Sequence, residues 1–325
     1  MNKQSLPLRQ TSPLRCCVVG PGRLGSTLLA ALPAAGFTVS AIAVREGTER
    51  LQTKQAAAQT TRPQATKTTT KPPRLPLASA VADADLVWLT VPDDAIRSVA
   101  EDAAQALRAL PPRPVSSPLY ALHSSGLGNL ELLAPLREAG ARVLCIHPLQ
   151  TFTGAAGETS IAQRGALLHD VPAAVTAADE RDTAFGMALA HALGMRPFRL
   201  ADEAKPLYHL AAALACNLLV ALESEAGALM DEATDRQDGL AILGPLVQTT
   251  LANLRASDPA QALTGPLARG DVGTVRTHLR LLSERPAHLS AAYRSLSLAA
   301  LELAAAQLDG ETVRALRDLL EGDPK

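Results

Sequence analysis

Short apolar runs alternate with longer amphipathic stretches through the first 200 residues of the chain. Residues 15–19 (RCCVV) lead into GPGRLG, and the STLLAALPAAG that follows has helical spacing and ends near Pro33 and Gly36. FTVSAIAV is the next run, apolar and β-branched, and it closes at Arg45. ADLVWLTVP and SSPLYALH come after it, separated by a helical stretch from Asp93 to Leu107, and ARVLCIHP repeats the pattern after another helix. Strands apolar on both faces, alternating with helices, predict an α/β fold with a doubly wound, mostly parallel sheet.

The pattern changes near residue 200. Periodic helical segments fill 203–231, 239–256, 271–283, 287–307 and 311–320, with turn chemistry such as SDPAQ and TGPLARGD between them. The expected organisation is a flexible tail over 1–14, a sheet domain over 15–200 and an all-helical domain over 201–325. Residues 52–74 interrupt the first domain with a Thr-, Gln- and Pro-rich stretch holding five basic residues and no acidic one. They read either as a disordered surface insertion or as a basic flap over a cofactor phosphate.

Composition narrows the function classes. Lys+Arg 31 against Asp+Glu 32, with 2% aromatics, gives no basic or stacking surface for nucleic acid and no charge for an anionic membrane. Cys16, Cys17, Cys145 and Cys216 form no CxxC pair and no disulfide spacing. The first 14 residues contain Lys3 and Arg9 without an apolar core, unlike a signal peptide, and no apolar run reaches the roughly 18 residues of a membrane span. A soluble, cytoplasmic protein is expected. The seven histidines form no HxxxH pair and no carboxylate cluster accompanies them, so no metal site is expected.

Gly20, Gly22 and Gly25 match G-x-G-x-x-G directly after an apolar strand and at the start of a helix. Gly20 permits the tight turn, Gly22 the approach of a pyrophosphate, and Gly25 close helix–sheet packing, so Gly20, Pro21, Gly22, Arg23, Leu24 and Gly25 are candidate cofactor residues. The fold is therefore expected to be Rossmann-type. Arg45 at the end of the second strand suits the extra phosphate of NADP, although Glu46 keeps NAD open. Thr90, Val91 and Pro92 of TVPDDAI are expected to wall the cofactor, with Asp93 as the N-cap of the next helix.

HSSGLGN, residues 123–129, reads as a polar turn or as a ligand loop. In the second reading His123 and Ser125 face the cofactor, while Ser124 and Gly126 offer a hydroxyl and a backbone N–H to the substrate. His147 in HPLQTF is either structural or lines the same cleft. In KPLYHLAAALACNLL a single helix puts Lys205, His209 and Asn217 on one broad face as candidate catalytic residues. Lys205 supplies charge for a substrate carboxylate or is simply solvated. Arg269 of TGPLARGD pairs either with the substrate or with Asp271, which itself is a candidate helix cap.

In this order GPGRLG, LTVPDDAI, LHSSG, IHPLQTF, the helix with His209 and Asn217, and LTGPLARGD resemble an uncharacterised Rossmann-like NADP-oxidoreductase family whose C-terminal part is a domain of unknown function. The resemblance covers about residues 15–285 and departs at the 52–74 insertion. The family is similar in architecture to ketopantoate reductases, pyrroline-5-carboxylate reductases and deazaflavin-dependent NADP oxidoreductases. The resemblance implies hydride transfer between NADPH and a small 2-oxo acid or imine acid in a cleft between two domains, and a homodimer formed through the helical domain. Ketopantoate reductases carry Lys-x-x-x-Asn-x-x-x-Asn on the first long helix of the second domain. Here His209 stands at the lysine, Ala213 at the middle asparagine and Asn217 at the last. An imidazole can still donate a proton near neutral pH, but Ala213 removes one substrate contact. A dinucleotide-binding sensor without catalysis is the alternative.

Overall fold

The computed structural model describes residues 13–44, 72–152 and 161–322, and the chain divides into two units, Met1–Ala213 and Leu214–Lys325. The first unit is built on eight strands: β1 (Arg15–Val19), β2 (Thr38–Val44), β3 (Arg74–Pro76), β4 (Leu86–Leu89), β5 (Tyr120–His123), β6 (Arg142–Pro148), β7 (Pro172–Ala177) and β8 (Arg196–Arg199). Its helices are α1 (Arg23–Ala34), α2 (Leu77–Ala82), α3 (Asp93–Arg108), α4 (Ala134–Glu138), α5 (Ile161–Ala166), α6 (Glu180–Ala192) and α7 (Lys205–Ala215).

The strands lie in the order β3-β2-β1-β4-β5-β6-β7-β8. All neighbours are parallel except β6 and β7, so β7 and β8 run against the other six. The period-2 geometry of a strand sends alternate side chains to opposite faces, and both faces are filled. Cys16, Val18, Trp88, Leu122 and Leu144 point into one core with Leu28 and Leu32 of α1. Cys17, Val19, Leu89, Ala121 and Val143 point into the other with Ile96, Ala100 and Leu107 of α3. The spacing of buried positions on α3, at 96, 100, 103, 104 and 107, is that of one helical stripe.

The structure moves several expected boundaries. Leu14 belongs to the core, and its carbonyl accepts the Thr38 N–H at 3.0 Å, so the tail cannot be flexible as far as residue 14. Of the 52–74 insertion, Arg74 already pairs with Ile42, whose N–H donates to the Pro73 carbonyl at 2.8 Å; residues 52–71 lie outside the described residues. The division into units falls at Ala213, not near residue 200, because α7 is anchored to the sheet through Lys205. β7 and β8, PAAVTA and RPFR, carry little β-branched signal and take their strand conformation from pairing.

The second unit is helical among its described residues: α8 (Asn217–Thr234), α9 (Gly239–Ala256), the single turn α10 (Pro259–Ala262), α11 (Val272–Leu282), α12 (Ala287–Ala304) and α13 (Gly310–Glu321). Cys216, with φ −124° and ψ −70°, separates α7 from α8, so the expected single helix is interrupted just before Asn217. Val275, Leu279, Leu301, Leu316 and Leu320 form the unit's core. Asp271 and Asp309 cap α11 and α13, and one Arg294 guanidinium nitrogen donates to the carbonyls of Leu319, Leu320 and Gly322.

Gly25 of α1 packs so closely that an added Cβ would strike the Gly20 carbonyl oxygen and come within 2.6 Å of Thr90 Oγ1. Gly25→Ala should lower unfolding stability by about 1–3 kcal/mol. Gly22→Ala, whose Cβ meets nothing within 4 Å, should match the parent protein. Urea midpoints measured on both variants test this, and equal midpoints would contradict the packing argument.

Candidate functional site

The turn after β1 sits where the strand order reverses between β1 and β4, the place at which an open parallel sheet forms a ligand crevice. Gly20 adopts φ +83°, and a Cβ there would meet Val91 Cγ1 at 2.8 Å. The Thr90 hydroxyl lies 3.0 Å from the Val19 carbonyl and 2.6 Å from that of Gly20. Thr90 therefore braces the turn with its hydroxyl, while Val91 packs on it. α1 begins with Gly22 at its N-cap, no side chain capping it and no acidic residue in its first turn. Helix-start N–H groups without intrahelical acceptors then face the crevice with the positive end of the dipole. Arg45 and Glu46, on which the choice between NADP and NAD rests, lie outside the described residues.

The HSSG loop leaves β5 at the same carboxyl edge of the sheet. Four groups brace it. Lys205, fully buried, donates from Nζ to the Ser125 carbonyl at 3.0 Å and to Cys145 Sγ at 3.3 Å. His123, also fully buried, accepts the Ser125 N–H on Nδ1 at 3.1 Å. The Ser125 hydroxyl donates to Asp93 Oδ2 and accepts the Gly128 N–H at 2.7 Å. Asp202 takes the Leu130 N–H at 3.1 and 3.2 Å, tying the end of the loop to the turn before α7.

These bonds bear on four expectations. His123 and Ser125 are buried, and the hydrogen bonds they make are to the protein, with His123 Nε2 left without a hydrogen-bond partner among the described residues. Lys205 is neither solvated nor open to a substrate. Asp93 is the first residue of α3 rather than its N-cap, which is Pro92, and it holds the Ser125 hydroxyl instead.

Gly126, His147 and His209 come together, and Ser124 lies two residues before Gly126 in the same loop. A Cβ on Gly126 would lie 2.9 Å from His209 Cδ2 and 3.0 Å from His147 Nε2. Ser124 Oγ accepts the buried Trp88 indole N–H at 2.8 Å, which leaves its own proton free to donate to a ligand. His147 Nδ1 and the Tyr208 hydroxyl are 2.7 Å apart. His209 is exposed. Asn217 and Arg269 belong to the second unit, where both are exposed. Asp271 accepts the Thr274 N–H and hydroxyl, so it serves as the cap of α11.

Trp88, Cys145, Asp202 and Tyr208 take part with no signal in the sequence that singles them out, whereas Asp93, a carboxylate at the mouth of a parallel strand, is visible but bonds Ser125 rather than capping α3.

Burial governs the titration of the cluster. Desolvation, then the Lys205 charge, pushes His123 down to about 3. Desolvation, then Lys205 and His209, pushes His147 down to about 4. Desolvation pushes Cys145 up to about 11 against the opposing pull of Lys205, and pushes Tyr208 up to about 12 with the Cys145 charge adding to it. At neutral pH both imidazoles are neutral and the thiol and phenol keep their protons. Among the described residues no group of three metal-ligating side chains occurs.

Comparison with known proteins agrees with this architecture. Residues 2–148 match the profile of a Rossmann-like domain. Residues 171–300 match a domain of unknown function (DUF2520). The chain thus joins a Rossmann-like domain to a DUF2520 domain. No curated protein matches it. Among solved structures, a candidate NADP oxidoreductase from Bacteroides fragilis is similar at TM-score 0.63 and 20% identity, covering 89% of this chain and 98% of its own. A protein from Thermotoga maritima is similar at TM-score 0.59 and 20% identity, covering 90% and 99%. Pyrroline carboxylate reductase from Plasmodium falciparum, with NADP bound, is similar at TM-score 0.51 and 11% identity, covering 96% and 100%. At these identities the likeness concerns the fold.

The two depressed histidines make stability depend on pH. Unfolded, each binds a proton near 6.5; folded, only near 3 or 4. Their contribution is fully present above pH 6.5 and is lost as pH falls from there towards 4. At pH 5 each should cost the fold roughly 1–2 kcal/mol relative to pH 7.5. Urea unfolding at the two pH values should show this loss, and His147→Gln should shrink it. An unchanged pH slope in that variant would refute the assignment.

Proposed function

We propose that the protein is an NADP-dependent oxidoreductase that transfers hydride between NADPH and a small 2-oxo acid, ketopantoate-like, or an imine acid. The observation that carries this reading is the start of α1, uncapped, free of acid and open above Gly22, at the switch point of the sheet. A dinucleotide pyrophosphate fits such a place, since backbone N–H groups and the helix dipole both favour an anion. Arg45 supports NADP over NAD through its match to a ribose phosphate. The NADP named for the Bacteroides fragilis and Plasmodium falciparum proteins, and the pyrroline carboxylate reduced by the second, support the cofactor and the imine-acid class.

A bound nicotinamide supplies the hydride. In the direction of reduction His209, the exposed imidazole of the cluster, delivers the proton to the carbonyl oxygen or imine nitrogen. Ser124, its hydroxyl proton freed by Trp88, and the backbone of Gly126 orient the acceptor. Lys205 acts through Ser125 and holds the loop still. Four free cysteines among the described residues suit a reducing cytoplasm.

The reading extends to a homodimer through the helical unit. α8 and α9 bury only Gly227 and Gly239, while Leu218, Val220, Leu222, Leu240, Ile242 and Leu246 stand exposed. The polar side of α8 is already used, Glu225 bonding His288 and Glu232 bonding Arg285. A helix pair that leaves so many of its leucines outward needs a cover. The helical stretch Asp202–Thr234 is also long and apolar enough, by composition, to cross a membrane, contrary to the expectation from apolar runs. Its Glu223, Glu225, Asp231 and Glu232 oppose a bilayer, and a second copy of the chain is the cover that fits.

NADPH should raise the melting temperature of the apo protein more than NADH does. Gly22→Ala should weaken that shift without changing the apo melting point. His209→Ala should keep NADPH binding and lose at least tenfold in turnover across a panel of 2-oxo acids and cyclic imines. Equal shifts with both cofactors would overturn the NADP assignment, and tight NADPH binding with no turnover on any of the panel would favour a sensor. In light scattering the protein should run at twice the chain mass, and Leu218→Glu with Leu246→Glu should run at the single mass. A wild-type monomer, or wild-type protein partitioning into lipid vesicles, would overturn the dimer.

A further inference from the structure

His147 stands at the end of β6, its register partner on β7 being Ala174. Its Nδ1 meets the Tyr208 hydroxyl at 2.7 Å, with the two rings edge to face at 5.6 Å. Tyr208 is held in turn by Phe198 of β8, ring centroids 6.2 Å apart. Its hydroxyl has no other hydrogen-bond partner among the described residues. If His147 Nδ1–H donated to the tyrosine, the phenolic proton would be left without an acceptor in a half-buried place, which is the costly arrangement. If the tyrosine donates, the phenolic proton is satisfied, and the imidazole's own proton sits on a nitrogen that is not among the sealed, unpartnered atoms. The imidazole proton then lies on Nε2, which makes no hydrogen bond to the protein among the described residues and lies 3.0 Å from where a Gly126 Cβ would be.

We propose that Tyr208 fixes His147 as a neutral hydrogen-bond donor whose Nε2–H, aimed across Gly126, receives a carbonyl or carboxylate oxygen of the substrate. This rests on the reductase reading for the identity of the substrate but not for the state of the ring. Its surroundings keep the imidazole neutral: burial first, then repulsion of a second proton by Lys205 and His209, with Asp93 opposing. The phenol of Tyr208 and the thiol of Cys145 stay protonated and add no compensating charge. His147 thus orients without delivering a proton, and the exposed His209 beside it takes the proton-transfer role. The same geometry accounts for glycine at 126, because any side chain there would occupy the position that the substrate oxygen must reach.

Tyr208 is a positioning residue on this account, and its effect is visible without turnover. In long-range proton–nitrogen spectra of ¹⁵N-histidine-labelled protein, with His147→Gln identifying the signal, His147 should be a neutral Nε2–H tautomer from pH 5 to 8. Tyr208→Phe, which keeps the ring contacts, should release it to a mixture of tautomers. In the presence of NADPH the same variant should bind oxalate, a carboxylate probe, about tenfold more weakly, and Gly126→Ala should abolish oxalate binding while retaining NADPH. An Nδ1–H tautomer in the wild type, a ring protonated at pH 6, or unchanged oxalate affinity in Tyr208→Phe would each overturn the proposal. Failure to bind NADPH would instead sink the reductase reading, since the tautomer is read in apo protein.

Discussion

The rest of the candidate site depends on one buried amine. Lys205 has no exposed surface, and its Nζ reaches the Ser125 carbonyl and the Cys145 sulfur. A lysine is rarely sealed unless its donors are used, because an unmet ammonium in the interior costs several kcal/mol. Two of its donors are used here, one on the loop that follows β5 and one on Cys145 in the middle of the neighbouring parallel strand β6. One contact therefore fixes where α7 starts, how the HSSG loop turns and which side of it faces outward.

The charge also acts at a distance. After burial, it is the next contributor to the depression of both His123 and His147, so two imidazoles beneath and beside the loop remain neutral at physiological pH. His123 is thereby suited to accept a backbone N–H and brace the loop, and His147 to pair with Tyr208. His209, one helical turn from Lys205, is exposed instead. Three histidines within one cluster thus differ in role because they differ in burial and in their hydrogen bonds.

Much of the Rossmann-like half was legible in the sequence because its signals are local. A glycine turn after an apolar strand needs only the residues 20–25 to be recognised, and TVPDDAI announces a strand end by its proline. Helix positions in the second unit were legible for the same reason, since periodicity and capping aspartates such as Asp271 and Asp309 are properties of short windows. β7 and β8 were not, because Ala-rich PAAVTA and polar RPFR have weak strand preference and are held by their neighbours. The interruption at Cys216 was likewise hidden in a stretch whose every residue tolerates a helix.

By itself, then, the sequence determined the α/β class, the glycine turn and the set of polar residues from which a site could be made. Only the tertiary structure decided which of them are sealed and which stay exposed. Lys205 and His209 differ by four positions and look equivalent on a helical projection, yet one is sealed under Ser125 and the other meets solvent beside Gly126. Asp93 looked like a helix cap and instead holds a hydroxyl 32 residues away in the chain. Burial and hydrogen-bond partners come from segments distant in sequence, and it is they, more than residue type, that set protonation and exposure.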